Sequence, residues 1–307
     1  MPKKFLIITA TQNSRPFAGL PHEASLQQGL SRLQADLQDT SCFVAAVNEL
    51  VITVLDSQVT IRDTRNDCDL SEYDFVQFIN VSFARDHFHA IALYLRHHNI
   101  GFIDPHGTRG TTLGKTSQMV HFALQGIAVP DTMAVWGMPL YAQQAPSVMQ
   151  MPCICKLNQG TKGNDNFLVK TWEELATLLA ERGSEGFVLQ PFIPNDGDYR
   201  VLYIGGQSVV FYRQAQAGSH LNNTSQNGSG TLVSAEDCPP AVAALAARAR
   251  EAYGSAIAGV DVLVDRETDT PYILEVNDTP AIFSGLFQQE KGVLYAHYIQ
   301  QQLDNRG

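Results

Sequence analysis

Long apolar runs, excess positive charge and an even set of cysteines are all absent from this chain of 307 residues. No apolar run approaches the roughly 20 residues that cross a bilayer, and the start, Met-Pro-Lys-Lys-Phe-Leu-Ile-Ile, leads directly into a strand-like segment. The net charge of -10 opposes binding to nucleic-acid phosphates or to an anionic membrane face. We therefore expect no nucleic-acid or membrane partner, and a cytoplasmic location.

The 5 cysteines are few and odd in number. Cys153 and Cys155 lie two residues apart in an apolar strand pattern, with no second Cys/His pair nearby to complete a zinc site. We expect reduced thiols.

Hydrophobic residues make up 44% of the chain and charged residues 17%, as in ordinary globular proteins, and the length allows two or three domains. Leu26, Leu30, Leu33 and Leu37 are spaced by four, three and four, which predicts a helix with one buried face. Strand and helix patterns interleave up to Ile103, as in an α/β unit on a largely parallel sheet.

After residue 104 the pattern changes. The capping pair of Thr171 and Glu174 predicts the start of a helix, and Gly205-Gly206 predicts the turn of a β-hairpin. In chain order we expect a helix around Met119, a strand-loop-helix-strand unit over 151–193, the Gly205-Gly206 hairpin, a flexible polar stretch at 216–230, an alanine-rich helix at about 240–253 and a last hairpin from Gly259 to Val276.

Oxygen-bearing side chains interrupt the last hairpin. Glu275 and Asn277 are two apart on a strand and so share one face, and Asp261 can face them if the two strands pair. Two carboxylates and an amide oxygen suit a hard cation such as Mg²⁺. The alternative, that these carboxylates are ordinary surface residues, stays open.

Lys156 is the basic residue at the end of a strand-like run. The loop that follows it directly contains Gly160 and Gly163. Such glycines let backbone N–H groups approach phosphate oxygens closely, although the spacing is not that of a Walker loop, and a solvated turn is the alternative. Arg200 and Arg213 lie on the two strands of the Gly205-Gly206 hairpin, approximately opposite each other. They suit phosphates or developing negative charge, unless they are exposed surface arginines.

The order of these clusters resembles the ATP-grasp superfamily, and within it the RimK-like carboxylate-amine ligase branch, over about residues 104–307. On the nucleotide side the resemblance implies phosphate contacts from Lys115, which precedes Gly126-Ile-Ala-Val-Pro130-Asp-Thr, and from Lys156 with its glycine loop. It implies an adenine hinge at Gln190-Pro-Phe192-Ile193 and a nucleotide contact from Asp198, with Asp196 as the candidate for the ribose.

On the substrate side the resemblance implies Mg²⁺ ligands at Asp261, Glu275 and Asn277, with Mn²⁺ as an alternative ion. It implies catalytic roles for Arg200 and Arg213, and substrate contact from Asn223 in the polar loop. The implied fold has an N-terminal α/β domain (1–108), a small central lid (109–195) and a C-terminal antiparallel α+β domain (196–307).

The implied activity is ATP-dependent joining of a carboxylate to an amine through an acyl phosphate, with small-molecule or peptide substrates. Two alternatives remain: a kinase on the same scaffold and a non-catalytic nucleotide-binding module. The sequence leaves a homo-oligomer open, and we expect the loops 159–164 and 217–230 to be mobile when the site is empty.

Overall fold

The computed structural model describes residues 2–10, 23–55, 58–81, 84–103, 114–135, 145–146, 149–158, 165–182, 186–216, 219–220, 222 and 229–305. The helices are α1 (Glu23–Asp36), α2 (Arg85–His97), α3 (Lys115–Leu124), α4 (Trp172–Arg182), α5 (Pro240–Tyr253) and α6 (Gln288–Asp304). The strands are β1 (Lys3–Thr9), β2 (Thr40–Ala46), β3 (Leu50–Leu55), β4 (Gln58–Asp63), β5 (Cys68–Asp69), β6 (Phe75–Ile79), β7 (Gly101–Ile103), β8 (Met133–Val135), β9 (Cys153–Leu157), β10 (Asn166–Val169), β11 (Phe187–Pro191), β12 (Asp198–Ile204), β13 (Gln207–Gln214), β14 (Ser229–Val233), β15 (Ile257–Val264) and β16 (Pro271–Asn277).

A parallel sheet in the order β2-β1-β6-β7 forms the N-terminal part, as the interleaved pattern predicts. The predicted leucine face of the first helix is confirmed, because Leu26, Leu30, Leu33 and Leu37 are all buried. The chain that follows β2 does not continue this sheet. Its strands β3 and β4 pair antiparallel and form a small separate sheet with β5.

The middle of the chain forms an antiparallel sheet in the order β10-β9-β11-β8, which we call the middle sheet. The sequence predicted β9, α4 and β11 but missed the short strands β8 and β10. At the start of α4 the Glu174 N–H donates to Thr171 Oγ1 at 3.2 Å, as expected. The Glu174 carboxylate accepts from the N–H of Lys170 at 2.7 Å, so the reciprocal half of the cap lies one residue earlier than predicted.

The C-terminal sheet is antiparallel, with the order β14-β13-β12-β15-β16. Gly205 and Gly206 both have positive φ at the predicted hairpin turn, a conformation that glycine adopts without a steric penalty. The alanine-rich helix is α5, as predicted. Residues 229–230, which we expected in the polar loop, belong to β14, and the last helix, α6, was not predicted.

The two helices cover opposite faces of the C-terminal sheet, because successive side chains on a strand point to opposite sides. Val201 and Val210 pack with α5, whereas Leu202 and Phe211 pack with α6. The α6 face is apolar only near the hairpin turn. Farther along the same strands it carries charged side chains, and this polar part forms the floor of the site described below.

One hydrophobic core joins the N-terminal part to the C-terminal sheet. It contains Phe5 and Leu30 together with Ile204, Tyr295 and neighbouring side chains. The Tyr295 hydroxyl donates to the Gln77 side-chain oxygen across this contact. The predicted domain boundaries at 108/109 and 195/196 stay predictions. Among the described residues, no helix has the length and apolar character needed to cross a membrane.

Candidate active site

A cavity of about 690 Å³ lies between the middle sheet and the C-terminal sheet. Except for Asp196, the candidate for the ribose, every predicted site residue that the structure describes lines it. Asp196 does not line the cavity and instead forms an exposed ion pair with Arg266. Gly160, Gly163 and Asn223 fall outside the described residues, as do 159–164 and most of the loop that we expected to be mobile. The cavity thus brings together Lys115, Lys156, Gln190, Phe192, Ile193, Asp198, Arg200, Arg213, Asp261, Glu275 and Asn277.

The oxygen donors of the last hairpin face one another as predicted. Asp261 on β15 pairs directly with Glu275 on β16, and Gly259 pairs with Asn277. The register shifts immediately after Asp261, which marks a bulge at the carboxylate pair. The two carboxylates and the amide therefore leave the sheet on the same face and close together.

Four charged side chains form an alternating network on that face. Arg213 donates to both carboxylate oxygens of Asp198, at 2.6 Å and 2.9 Å, and its Nη2 also lies 3.1 Å from Asp261 Oδ1. Arg200 donates through Nε and Nη2 to Asp261, at 2.8 Å for Nη2. With two arginines and two aspartates, the network is neutral overall.

Strand register places the two arginines diagonally rather than opposite each other. Arg213 pairs with Asp198, and Arg200 pairs with Phe211, two pairs closer to the hairpin turn. The positions in the sequence give the same two-residue offset, because Arg200 lies five residues before Gly205 and Arg213 lies seven residues after Gly206. Both guanidinium groups nevertheless reach the same aspartate, because residues two apart on a strand share a face.

The net pKa shifts of the two aspartates of the network are opposite in direction. Burial raises the pKa of Asp198, and the charge of Arg213 offsets this only in part. Burial also disfavours charge on Asp261, but Arg200 and Arg213 together outweigh it, so the pKa of Asp261 is lowered. Asp198 uses both oxygens to hold Arg213, and its predicted contact with nucleotide stays a prediction.

Lys156 on β9 is held by a chain of hydrogen bonds. Its ammonium donates to Gln190 Oε1 at 2.9 Å, Gln190 Nε2 donates to Thr132 Oγ1 at 2.9 Å, and Thr132 donates to the Pro130 carbonyl at 2.7 Å. Burial lowers the pKa of Lys156 to about 8, with Glu275 opposing the shift. Gln190, predicted as part of the adenine hinge, thus also orients the lysine.

Lys115 opens helix α3, as the motif implies. The N-terminus of this helix is capped by the residue that follows β9, since Asn158 Oδ1 accepts from the Thr116 N–H at 2.9 Å. The sequence did not indicate this contact, because the capping residue lies far along the chain. It places the first turn of α3 beside the strand that carries Lys156.

Sequence reasoning missed one wall of the cavity. This wall is the segment from Thr279 to Phe287 together with Lys291 in the first turn of α6. Phe287 stacks on Phe211 of the sheet, with ring centroids 5.1 Å apart. The sequence feature that could have indicated this wall is Lys291 itself. A lysine in the first turn of a helix is unusual, because the helix dipole disfavours a cation there.

The donor set on the hairpin fits a hard cation. Among the described residues, no hydrogen bond engages the Glu275 carboxylate, while Asn277 Oδ1 accepts from the Thr279 N–H at 3.0 Å and keeps a second lone pair. Asp261 is shared between two arginines. No group of three or more His, Cys, Asp or Glu side chains in the described part of the chain suits a metal, so any ion here would draw on the amide and on bound phosphate as well.

The model of the RimK-like ATP-grasp domain matches residues 84–297. The chain belongs to the RimK-like ATP-grasp family. It is 32% identical over 216 residues to the tetrahydromethanopterin:alpha-L-glutamate ligase of Methanosarcina acetivorans, covering 60% of this chain and 64% of that protein. It is 30% identical over 177 residues to a probable alpha-L-glutamate ligase of Halorhodospira halophila, covering 55% and 56%. The match spans less than two thirds of either relative.

Solved structures show the same fold at low sequence identity. The D-alanine–D-alanine ligase of Bacillus anthracis, complexed with ATP, superposes with a TM-score of 0.69 at 15% identity, over 99% of this chain and 98% of that one. The macrocyclase MdnC from Microcystis aeruginosa, bound to the precursor peptide MdnA, superposes at 0.68 and 14% identity, over 96% and 99%. The ATP-grasp fold inferred from the motifs is therefore confirmed.

Proposed function

We propose that this protein of the RimK-like family is an ATP-dependent ligase that joins a carboxylate to an amine through an acyl phosphate. The observation that carries the proposal is the single cavity in which a cross-strand carboxylate pair, Asp261 and Glu275, faces Lys156 and two arginines. Nucleotide phosphates and their metal ion need such a mixture of anionic and cationic groups. Because ATP is the energy source, we propose a cytoplasmic enzyme.

We propose that Lys115 and Lys156 neutralise the phosphate oxygens and that the main chain of Phe192 and Ile193 contacts adenine. Asp261, Glu275 and Asn277 would hold Mg²⁺, or Mn²⁺, which takes the same oxygen ligands. Bound there, the ion would offset phosphate charge and orient the γ-phosphate for attack by the carboxylate. Gln190 fixes the ammonium of Lys156, so this charge is in position before nucleotide binds.

Arg200 is our candidate for the oxyanion that forms when the amine attacks the acyl phosphate. Nε and Nη2 are occupied by Asp261, while Nη1 has no hydrogen-bond partner among the described residues. A guanidinium fixed on two of its nitrogens presents the third in a defined direction, as pre-organised stabilisation of charge requires. Arg213, gripped by Asp198 and Asp261, is proposed to keep this assembly in place and add positive charge.

We propose an amino acid or a peptide as substrate. The glutamate-ligase relatives and the peptide-bound macrocyclase support this class by their names, and L-glutamate is the first amine to test. The domain boundaries 1–108, 109–195 and 196–307 and the contacts of Gly160, Gly163 and Asn223 are part of the same proposal.

The test combines phosphate release with mass spectrometry of products. Purified protein, ATP and Mg²⁺ are incubated with a panel of carboxylates and amines, each alone and in pairs. The ligase proposal expects phosphate, ADP and an amide product only when both substrates are present. A product phosphorylated on a hydroxyl, formed without amine, would identify a kinase, whereas an acyl phosphate is the intermediate of the ligase. Absence of turnover across the panel would favour a binding module. Glu275→Gln serves as the inactive control.

A further inference from the structure

Lys291 is a buried cation at the start of α6, with only 4% of its surface exposed. Its ammonium reaches back over the N-terminus of the helix and donates to the carbonyls of Ala281 and Ser284, at 2.7 Å for Ser284. An ammonium has three N–H donors, and the third has no acceptor among the described residues. The side chain also lines the cavity.

The surroundings of this ammonium are unfavourable to positive charge. Burial lowers the pKa of Lys291 to about 8, the nearby charge of Arg200 lowers it further, and Glu290 offsets this only in part. The N-terminus of a helix adds a positive partial charge. No carboxylate of the described residues forms an ion pair with Lys291. Its positive charge is therefore not balanced, and the site suits an anionic ligand.

Arg200 lies close by and also has a donor to spare. A Cβ built on Gly259 would lie 2.9 Å from Arg200 Nη1 and 3.3 Å from Pro280. Pro280 adjoins Ala281, whose carbonyl Lys291 holds. The unused donors of Arg200 and Lys291 therefore flank one short stretch of chain at the cavity wall.

We propose that Lys291 binds the non-reacting carboxylate of the amine substrate, beside the Arg200 guanidinium whose Nη1 is assigned to the oxyanion; the amine substrate is therefore an amino acid or a peptide with its carboxylate close to the amine. This inference rests on the proposed ligase function. The carboxylate carbon of an α-amino acid is bonded directly to the carbon that bears the amine, so the carboxylate binding site must adjoin the reacting centre. Lys291 adjoins Arg200, which we have placed at that centre.

The test compares an amino acid with its α-carboxamide, which keeps the amine and the side chain but loses the negative charge. We use L-glutamate and its α-carboxamide, and any other amine identified by the panel. The wild-type protein should have a KM at least tenfold lower for the acid. Lys291→Met should raise the KM for the acid about tenfold, because a charged hydrogen bond is lost, and should leave the KM for the carboxamide and for ATP within about twofold.

Lys170→Met is the matched control, since Lys170 is exposed and lies outside the cavity. Lys291→Gln retains a donor for the Ala281 and Ser284 carbonyls without the charge, so it separates recognition from support of the loop. An equal rise in KM for acid and carboxamide, or rescue of selectivity by Lys291→Gln, would assign Lys291 a structural role and overturn the proposal.

Direct binding distinguishes failure of this inference from failure of the ligase proposal. Calorimetry with L-glutamate and its α-carboxamide, in the presence of Mg²⁺ and a non-hydrolysable ATP analogue, requires no turnover. Carboxylate-dependent binding that disappears in Lys291→Met supports the inference even if no amide product is ever found. Amide formation without such binding in the wild-type protein overturns the inference and leaves the ligase function standing.

Discussion

Replacing Asp198 by asparagine removes one negative charge from the four-residue network at the floor of the cavity. Asp198 and Arg213 are each only 7% exposed as side chains, and Arg213 donates two hydrogen bonds to this carboxylate. Loss of one partner from a buried ion pair costs about 3–5 kcal/mol, because the other charge is left buried without compensation. The substitution therefore tests whether the network stabilises the C-terminal sheet.

The expected cost lies toward the lower end of that range. Arg213 still has Asp261 at 3.1 Å, and asparagine still offers one acceptor oxygen. We expect about 3 kcal/mol, which corresponds to a fall in Tm of roughly 5 °C, because the entropy of unfolding grows with chain length. Differential scanning calorimetry and urea unfolding measure the two quantities independently.

Asp196→Asn is the matched control. Asp196 lies two residues from Asp198 and forms an ion pair with Arg266, and the side chains of Asp196 and Arg266 are 63% and 57% exposed. An exposed pair contributes little, so the control should change stability by less than about 1 kcal/mol. The double variant Asp198→Asn, Arg213→Met should be less destabilised than the sum of the single variants. Equal Tm values for Asp198→Asn and Asp196→Asn, or strict additivity in the double variant, would refute the buried-network reasoning.

The remaining predictions concern nucleotide, metal and substrate. Mg²⁺ with ATP should raise the Tm of the wild-type protein, and Glu275→Ala should lose most turnover, so normal activity in that variant would contradict the metal assignment. Lys156→Met should weaken ATP binding in calorimetry without unfolding the protein. Burial lowers the pKa of Lys156 to about 8, so the ATP affinity of the wild-type protein should fall as the pH rises through that value. The ATP affinity of the variant should not show this pH dependence. Arg200→Ala should lower kcat by on the order of a hundredfold with little change in ATP affinity, and Arg200→Lys should not restore it, whereas wild-type kcat with a raised ATP KM would make Arg200 a nucleotide contact. Gly29→Ala should raise the KM for the amine substrate but not for ATP, because the added Cβ would overlap the Phe283 ring and displace the segment before α6. An unchanged KM for the amine substrate would show that this segment does not contact it.

Short-range patterns predicted the parts of the fold that local chemistry determines. The leucine spacing of α1, the paired glycines of the β12–β13 hairpin and the two-residue spacing of Glu275 and Asn277 each correspond to an observed element or face. Asp261 and Glu275 could be named from sequence because each interrupts an apolar strand, where an ionised group requires a partner. Lys115 and Asp198 were named only from the resemblance to the ATP-grasp superfamily.

Contacts between distant segments could not be predicted in this way. The sharing of Asp261 by Arg200 and Arg213 depends on the pairing of β12 with β15, and the role of Gln190 as a support for Lys156 depends on a neighbouring strand. The helix α6 was not predicted, because the motifs that the chain shares with the family end before it, at the last hairpin. Lys291 was missed with it, although a lysine in the first turn of a helix is itself an unusual placement.

The face of the C-terminal sheet that carries the site explains why the N-terminal part of the chain matters to it. Near the hairpin turn this face is covered by α6, whose other side belongs to the core that includes Phe5 and Leu30. The segment before α6 is fixed by Phe283, which packs edge-on against Tyr295 and closely against Gly29 of α1. Close packing transmits displacements because protein interiors have few voids in which a side chain can move. The N-terminal part therefore positions one wall of the cavity, including Lys291, even though none of the predicted nucleotide or metal ligands lies within it.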